Sequence, residues 1–347
     1  MAKWDKEYLK LCKKILTEGV EVENRTGINT IKIPNYTFNF DLQEEFPVLT
    51  TKQLFFKNAI TEILWIYQEQ SNDVRWLQER KNHIWDEWMV DEDGIYRIYE
   101  PNNDIFDKDK EVDLYDLDNN IMLDKDGNKI KVKSNIEGKN IKAAKFYGKE
   151  YAYTIGTAYG WIVNRYKLTQ NLIDTIKSNP NDRRLVMSLW QNEFLKTAVL
   201  PSCVWSSEWD VTDGYLNLSV HQRSCDVPLG LPFNVTQYAT LLCLIAHCTN
   251  LKPGKISWSI KDAHIYVNQI EGIKEQILRG ETLEDLEAPE LWINEEIHDF
   301  FEFDNSRDLK DIKIRKYKHH GNMAVSATFS KPFPQETKGL FSRPFLI

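Results

Sequence analysis

Leu9, Cys12, Ile15 and Leu16 recur at helical spacing near the start of the chain and Gly19 follows, a pattern that predicts an amphipathic helix ended by glycine. Residues 28 to 40 read as strand. From Ala59 to Tyr67 only Thr61 and Glu62 break the apolar run; Ile60, Ile63, Leu64 and Tyr67 trace one face while Trp65 and Ile66 cover the rest. This helix is expected to be buried nearly all round. After Arg184 strands dominate. Leu185 to Trp190 is one, and Trp205, Ser207, Trp209 and Val211 alternate up to an Asp213-Gly214 turn from which Leu216, Leu218 and Val220 alternate back. A helix with Pro232 at its start follows, with Tyr238, Leu241, Leu242 and Ile245 on one face; then come a strand (Ile256 to Ile260) and a helix (Ile270, Ile273, Ile277) stopped by Gly280. The order is that of an α+β protein with antiparallel strands, not of alternating βαβ units.

The stretch between Trp88 and Tyr159 has a different character. Asp104 to Asp118 carries seven acids and two lysines, whereas Lys129 to Lys149 carries seven lysines and one acid. Asp126-Gly127, between Ile121-Met122-Leu123 and Ile130-Lys131-Val132, predicts a hairpin, so residues 94–150 read as an insertion folded as a small β-element. Overall, 44 Lys+Arg stand against 52 Asp+Glu, and a net charge of -8 argues against binding of nucleic acid. No apolar run approaches a bilayer span and the start lacks a signal-peptide core, so the chain reads as cytoplasmic, with no membrane partner. Five cysteines, none in a CxxC pair, suggest free thiols and no metal site. Dinucleotide, P-loop and zincin motifs are absent.

Two residues stand out chemically. Cys203 follows Leu200-Pro201-Ser202 at a chain break before a strand, with Arg183-Arg184 upstream and Arg223 on the neighbouring strand end. A lone cysteine is as easily packing as chemistry, but cationic neighbours lower a thiol's pKa and also bind phosphate. Glu62, amid Ile60, Ile63, Leu64 and Trp65, must be partnered, protonated or costly to bury; it is either a structural carboxylate or a site acid. Gln222-Arg223-Ser224-Cys225-Asp226 and then Gly230-Leu231-Pro232-Phe233-Asn234 gather amide, guanidinium, hydroxyl and carboxylate groups around a strand end and helix start, which suits an anion and a planar heterocycle. His264, in Asp262-Ala263-His264-Ile265-Tyr266, adds donors.

These segments, with Asn24-Arg25-Thr26-Gly27, Pro47 to Lys52, Glu62-Ile63-Leu64-Trp65, Ile84-Trp85-Asp86-Glu87-Trp88, Ala158-Tyr159-Gly160 and Asp182-Arg183-Arg184, occur in the order of one family. The chain resembles the thymidylate synthase family over almost its whole length. The resemblance implies a single domain over 1–347 with a mixed β-sheet flanked by helices, the sheets of two subunits packed back to back in a homodimer. It implies dUMP and 5,10-methylenetetrahydrofolate as substrates, with dTMP and dihydrofolate as products of a transferase. By motif, Cys203 would be the nucleophile adding to C6 of uracil, with Glu62 and Tyr159 in proton transfer. Arg25, Arg223 and Ser224 would hold the phosphate, joined by Arg183 and Arg184 from the other subunit. His264 and Tyr266 would bind the ribose and Asn234, beside Gln222, would read the base. Asp226, Lys52, Trp85 and the terminal Ile347 would serve the folate. No metal is implied.

The chain departs from the family's usual pattern at Val204, at His221, in the 94–150 insertion and in a C-terminal extension over 330–347, whose last residues are expected to fold back over the folate. Two rival functions accompany this reading. The same fold and nucleophile would support a dUMP hydroxymethyltransferase if water captured the exocyclic methylene; Trp85 would favour the synthase by shielding that carbon. A non-catalytic nucleotide- or nucleic-acid-binding scaffold rests only on the lysines of 129–149, which the adjacent acids neutralise.

Overall fold

A computed structural model describes residues 1–24, 26–100 and 106–323. The expected roles of Arg25 and Ile347, and the 330–347 extension, therefore lie outside the described residues. Chain order is α1 (Lys3–Glu18), β1 (Val20–Val22), β2 (Thr30–Asp41), α2 (Phe56–Tyr67), α3 (Val74–Glu79), β3 (Ile95–Tyr99), β4 (Glu111–Tyr115), β5 (Lys131–Lys133) and β6 (Ile141–Phe146). There follow α4 (Gly160–Tyr166), α5 (Leu168–Ser178), β7 (Val186–Ser188), β8 (Val204–Thr212), β9 (Tyr215–Gln222) and β10 (Cys225–Asp226). The chain continues with α6 (Gly230–Cys248), β11 (Lys252–Tyr266), α7 (Ile270–Thr282), β12 (Glu290–Ile293) and β13 (Ile312–Arg315).

One sheet runs in the order β1-β2-β11-β9-β8-β7, with β10 pairing beside β11. It is mixed: β11 lies antiparallel to β2 and parallel to β9. The parallel pair needs a crossover, and the buried helix α6 supplies it, a unit that the strand pattern alone did not predict. At 15 residues, β11 is three times the expected length. Pro253 and Gly254 hide its start because they sit at a bulge, where a missing ladder donor is tolerated. The β8–β9 hairpin turns at Asp213-Gly214 as expected, but a bulge between Val204 and Ser206 shifts Trp205 out of the alternation and leaves it partly exposed.

Against the sheet, α2 and α6 are buried nearly all round, with each of Ala59 to Tyr67 buried. That position explains the all-round apolar run of α2. Gly280 does not end α7. It sits within the last turn, where a Cβ would lie 2.3 Å from Leu9 Cδ1, so the glycine lets α7 close on α1. On α1 the buried carboxylate of Asp5 accepts from Thr50 N (3.0 Å), Thr50 Oγ1 (2.7 Å), Thr51 N (3.2 Å) and Thr51 Oγ1 (3.1 Å), fixing the loop that carries Lys52. The other side of that loop is held by the distant end of the chain: Tyr317 Oη donates to Leu49 O (2.8 Å) and accepts from Leu54 N (2.8 Å), and His320 N donates to Thr50 O (2.9 Å).

Within 94–150 a second sheet forms in the order β3-β6-β4-β5. Its own apolar cluster is Ile95, Leu114, Ile141 and Ala144, and a separate cluster of Val90, Tyr96, Tyr147 and Val199 joins it to the body. The expected hairpin is only partly realised. Asp124 Oδ1 accepts from Asp126 N (2.9 Å) and Asn128 N (2.8 Å) to make the turn, but 121–123 pairs through single bridges, and β5 finds its strand partner in β4. Gly160 is a tight point, since a Cβ there would stand 2.0 Å from Ser71 O and 2.6 Å from Ser71 N. Gly160→Ala is therefore expected to cost about 2–4 kcal/mol, because rigid backbone must move. Thermal denaturation followed by circular dichroism checks this; an unchanged midpoint would mean that the contact relaxes freely.

Candidate active site

Register places the thiol. Val204 pairs with Gln222 across the hairpin, so the residues just outside the paired ends, Cys203 and Arg223, meet, and Arg223 N donates to Cys203 O at 2.9 Å. The guanidinium wraps the turn before β8: Nε donates to Ser202 O (3.0 Å), Nη2 to Pro201 O (2.5 Å), and Nη2 lies 3.9 Å from Cys203 Sγ. Trp190 lies beneath it, the ring centroid 5.6 Å from Cζ. Of the five cysteines, Cys203 alone is not buried, and its sulfur lies within reach of a guanidinium. Burial pushes Cys12 and Cys243 up to about 12 and Cys225 well up, so these act as packing.

Glu62 occupies the interior between α2 and α6. Its Oε1 accepts from Trp85 Nε1 (2.9 Å) and its Oε2 from Gln237 Nε2 (2.6 Å). Burial raises its carboxyl to about 7 against the pull of these two donors, so it exchanges a proton near neutrality. Gln237 belongs to a chain of side-chain amides. Trp258 Nε1 donates to Gln222 Oε1 (3.0 Å), Gln222 Nε2 to Asn234 Oδ1 (3.0 Å) and Asn234 Nδ2 to Gln237 Oε1 (3.2 Å). Tyr159 closes the cluster on the thiol side. It is held at φ 47°, unusual for a side chain of this size, and its oxygen accepts from Cys203 N at 2.9 Å. Burial keeps that phenol neutral, and its ring meets the edge of Trp85 at 5.2 Å. Cys203, Arg223, Tyr159, Trp85 and Glu62 are thus linked by direct contacts, and Gln237 joins Glu62 to Asn234 and Gln222.

A second group lies where β10 and β11 run parallel, Asp226 opposite His264. His264 Nδ1 bonds Asp262 Oδ1 (2.8 Å) and Lys32 Nζ donates to Asp262 Oδ2 (2.7 Å). Burial opposes ionisation of Asp262, but His264 and Lys32 outweigh it and bring the carboxyl down to about 2. The rings of His264 and Tyr266 pack edge to face at 5.2 Å. Asp226 accepts from Leu229 N (3.0 Å) and Gln269 Nε2 (3.1 Å). Lys52 is buried, its Nζ donating to Pro228 O at 2.5 Å, and burial lowers it to about 8. It is spent on the 226–229 turn instead of being extended toward solvent.

Arg183 and Arg184 stand apart, exposed before β7, and Arg184 is engaged by Asp182 in a two-point pair (2.9 and 2.8 Å). Ser224 is partly exposed between β9 and β10. Val204 is buried, while His221 faces out toward Glu208 at 3.3 Å. Sequence reasoning missed Gln237 and Trp258. The first carried a signal, an amide one helical turn from Asn234 on a mostly apolar helix; a tryptophan inside a strand carries none. A hollow of about 470 Å³ lies elsewhere, on the outward face of the sheet between Asn39, Glu208, Asn217 and Ser257.

A thiol beside a guanidinium, with a buried acid and amides at the same point, is an arrangement suited to nucleophilic chemistry at sulfur. Comparison with known proteins makes the class specific. The family model described as thymidylate synthase matches residues 6–329. A thymidylate synthase of Clostridium beijerinckii is 38% identical over 328 residues, spanning 94% of this chain and 100% of that protein; one from Leuconostoc mesenteroides is 35% identical over 330 residues, spanning 91% and 96%. The solved structure of thermostable thymidylate synthase A from Bacillus subtilis superposes with a TM-score of 0.70 at 30% identity, covering 93% of this chain and 99% of that one. The chain belongs to the thymidylate synthase family, and so is a methyltransferase of dTMP biosynthesis that uses dUMP and folate. No helix among the described residues is long and apolar enough to cross a membrane.

The Glu62 environment sets two expected outcomes. Because its folded value lies above its ordinary 4.5, the group favours folding fully below 4.5 and loses that contribution as pH rises through about 7. Removing a donor removes support for the charged form, so Gln237→Leu should move the Glu62 titration above 7, read by carbon-13 NMR of labelled glutamate or by the infrared carboxyl band. A midpoint that stays or falls would contradict the assigned bond.

Proposed function

We propose that the chain is a thymidylate synthase that methylates dUMP reductively to dTMP through a covalent bond between Cys203 and C6 of the base. The observation that carries this is the Cys203–Arg223 pair sharing one cluster with Glu62, Tyr159 and Asn234. C5 of uracil is a poor nucleophile. Addition of the Cys203 sulfur at C6 moves the C5–C6 electron pair into an enolate over C5 and O4, which attacks a one-carbon electrophile; loss of the C5 proton and of sulfur later restores the ring. Glu62, poised near neutrality, takes part in that proton transfer, and Tyr159, neutral and bound to the thiol's own backbone, is its partner.

Methylenetetrahydrofolate, when bound, supplies the carbon and, from its own ring, the hydride. Asp226 fits this group: a partly exposed carboxylate, fixed from behind by Gln269 and Leu229, is an acceptor for ring N–H donors. Lys52 acts through the Pro228 turn that carries Asp226. Trp85, tied to Glu62 and packed on Tyr159, keeps water from the reacting carbon and so favours methyl over hydroxymethyl product. Arg223 and Ser224 hold the 5'-phosphate, and His264 and Tyr266 hold the ribose.

The reading includes a homodimer closed on the outward sheet face, where Val186 and Trp205 stand exposed, with Arg183 and Arg184 completing the partner's phosphate site. The product tests the chemistry: mass spectrometry after incubation with dUMP and methylenetetrahydrofolate should find dTMP, whereas 5-hydroxymethyl-dUMP would assign the hydroxymethyltransferase. Cys203→Ala should abolish turnover while dUMP still binds, and near-normal turnover would refute the nucleophile. Inactive Arg183→Ala and Cys203→Ala homodimers, mixed and exchanged, should regain activity, since each heterodimer then holds one whole site; no recovery despite proven exchange would remove the shared phosphate clamp.

A further inference from the structure

The amide chain has a direction, and its two ends set it. An indole N–H only donates, so Gln222 must turn its oxygen to Trp258 and its NH2 to Asn234. Asn234 must then turn its oxygen to Gln222 and its NH2 to Gln237, which in turn donates to Glu62. Each Asn234 atom spends one hydrogen-bonding position inward and keeps another on its partly exposed side. Reversing the chain would exchange the donor and acceptor presented there. Uracil offers N3–H and O4, whereas cytosine offers bare N3 and an amino group, so the direction of the chain decides which base is matched.

We propose that Trp258 is a positioning residue for base selection: its N–H, acting through Gln222, fixes the amide of Asn234 in the orientation that accepts uracil and refuses cytosine. The proposal rests on the reading above, in which Asn234 faces the base. Trp258 is fully buried, stacked on Phe38 (6.2 Å, 4°) and edge-on to Tyr238 (5.7 Å, 87°), so its indole nitrogen has a fixed aim. Gln222 is the one polar residue among the inward positions Leu216, Leu218, Val220 and Gln222 of β9, which leaves its amide few other partners.

The opposite end is held by Glu62 only while it is ionised. A carboxylate accepts from Gln237 and enforces the same direction, whereas a carboxylic acid can donate to Gln237 and tolerates either. Tyr238 from α6 and Tyr159 from the turn before α4 face Glu62, and burial keeps both neutral; Cys203 and Arg223 lie beyond Tyr159. In the native protein Trp258 therefore holds the direction at every pH, and without it the direction depends on Glu62.

The test is competitive equilibrium binding of dUMP and dCMP to the full chain, with Trp258→Phe keeping the ring and deleting the N–H. Measurements at about pH 6 and about pH 8.5 bracket the Glu62 midpoint. Wild type should prefer dUMP equally at both. Trp258→Phe should match it within about twofold at the higher pH and lose about tenfold or more of the preference at the lower one. A preference unchanged at both pH values, or reduced equally at both, overturns the proposal, the second outcome marking a packing role. Gln222→Leu cuts the same link without touching the indole and should show the same pH-dependent loss, so a Trp258→Phe chain that fails to fold leaves the test intact. Wild type with no preference for dUMP would instead remove the reading of Asn234 on which this rests.

Discussion

Where α2 and α6 meet, each buried nearly all round, the carboxylate of Glu62 meets the amide of Gln237, and the arrangement of the site depends on that bond. A carboxylate in such a place costs several kcal/mol unless donors reach it. Two do, and each ties the acid to a different part of the site: Trp85 to the loop that borders Tyr159, and Gln237 to the amide row under Asn234. The two donors hold the group near the midpoint of its titration instead of far above it. The same contacts thus align two helices and prepare a proton exchanger.

Around this interior the sheet does the placing. Gln222 is the inward end of β9, Trp258 an inward residue of β11, and the parallel pairing of those strands brings the first donor of the row to its acceptor. One residue further, β9 leaves the ladder and Arg223 turns onto the Pro201–Cys203 turn. The Cys203 thiol and the Arg223 guanidinium therefore meet at the ends of two paired strands, where charge remains partly solvated.

Much of this was legible from residue pattern. The all-round apolar run of α2, the Asp213-Gly214 hairpin and the opening amphipathic helix follow from local periodicity and turn chemistry, which act over a few residues. What escaped was decided at a distance. β11 looked short because Pro253-Gly254 resembles a break, yet at a bulge flanked by two partner strands it is tolerated. Gly280 read as a helix stop, but Leu9 of another helix explains it. The site divides in the same way: Cys203, Glu62 and Asn234 stand out by composition or motif, whereas the role of Trp258 exists only in the strand register that aims its nitrogen. Lys52 was visible as a motif residue, but its direction, inward to Pro228, was not.

The loop from Leu49 to Leu54 is stitched from both extremities of the described chain, by Asp5 from α1 and by Tyr317 and His320. Tyr317 and Leu49 are 268 residues apart in sequence. During synthesis on the ribosome the body of the protein, including the thiol hairpin, is out long before the partner of this loop exists. The Asp5 contacts can form early, but the loop that carries Lys52 waits for the last strands to arrive. Assembly of the Lys52 side of the site is therefore among the latest events in the life of the nascent chain, and it is the part most exposed to premature termination.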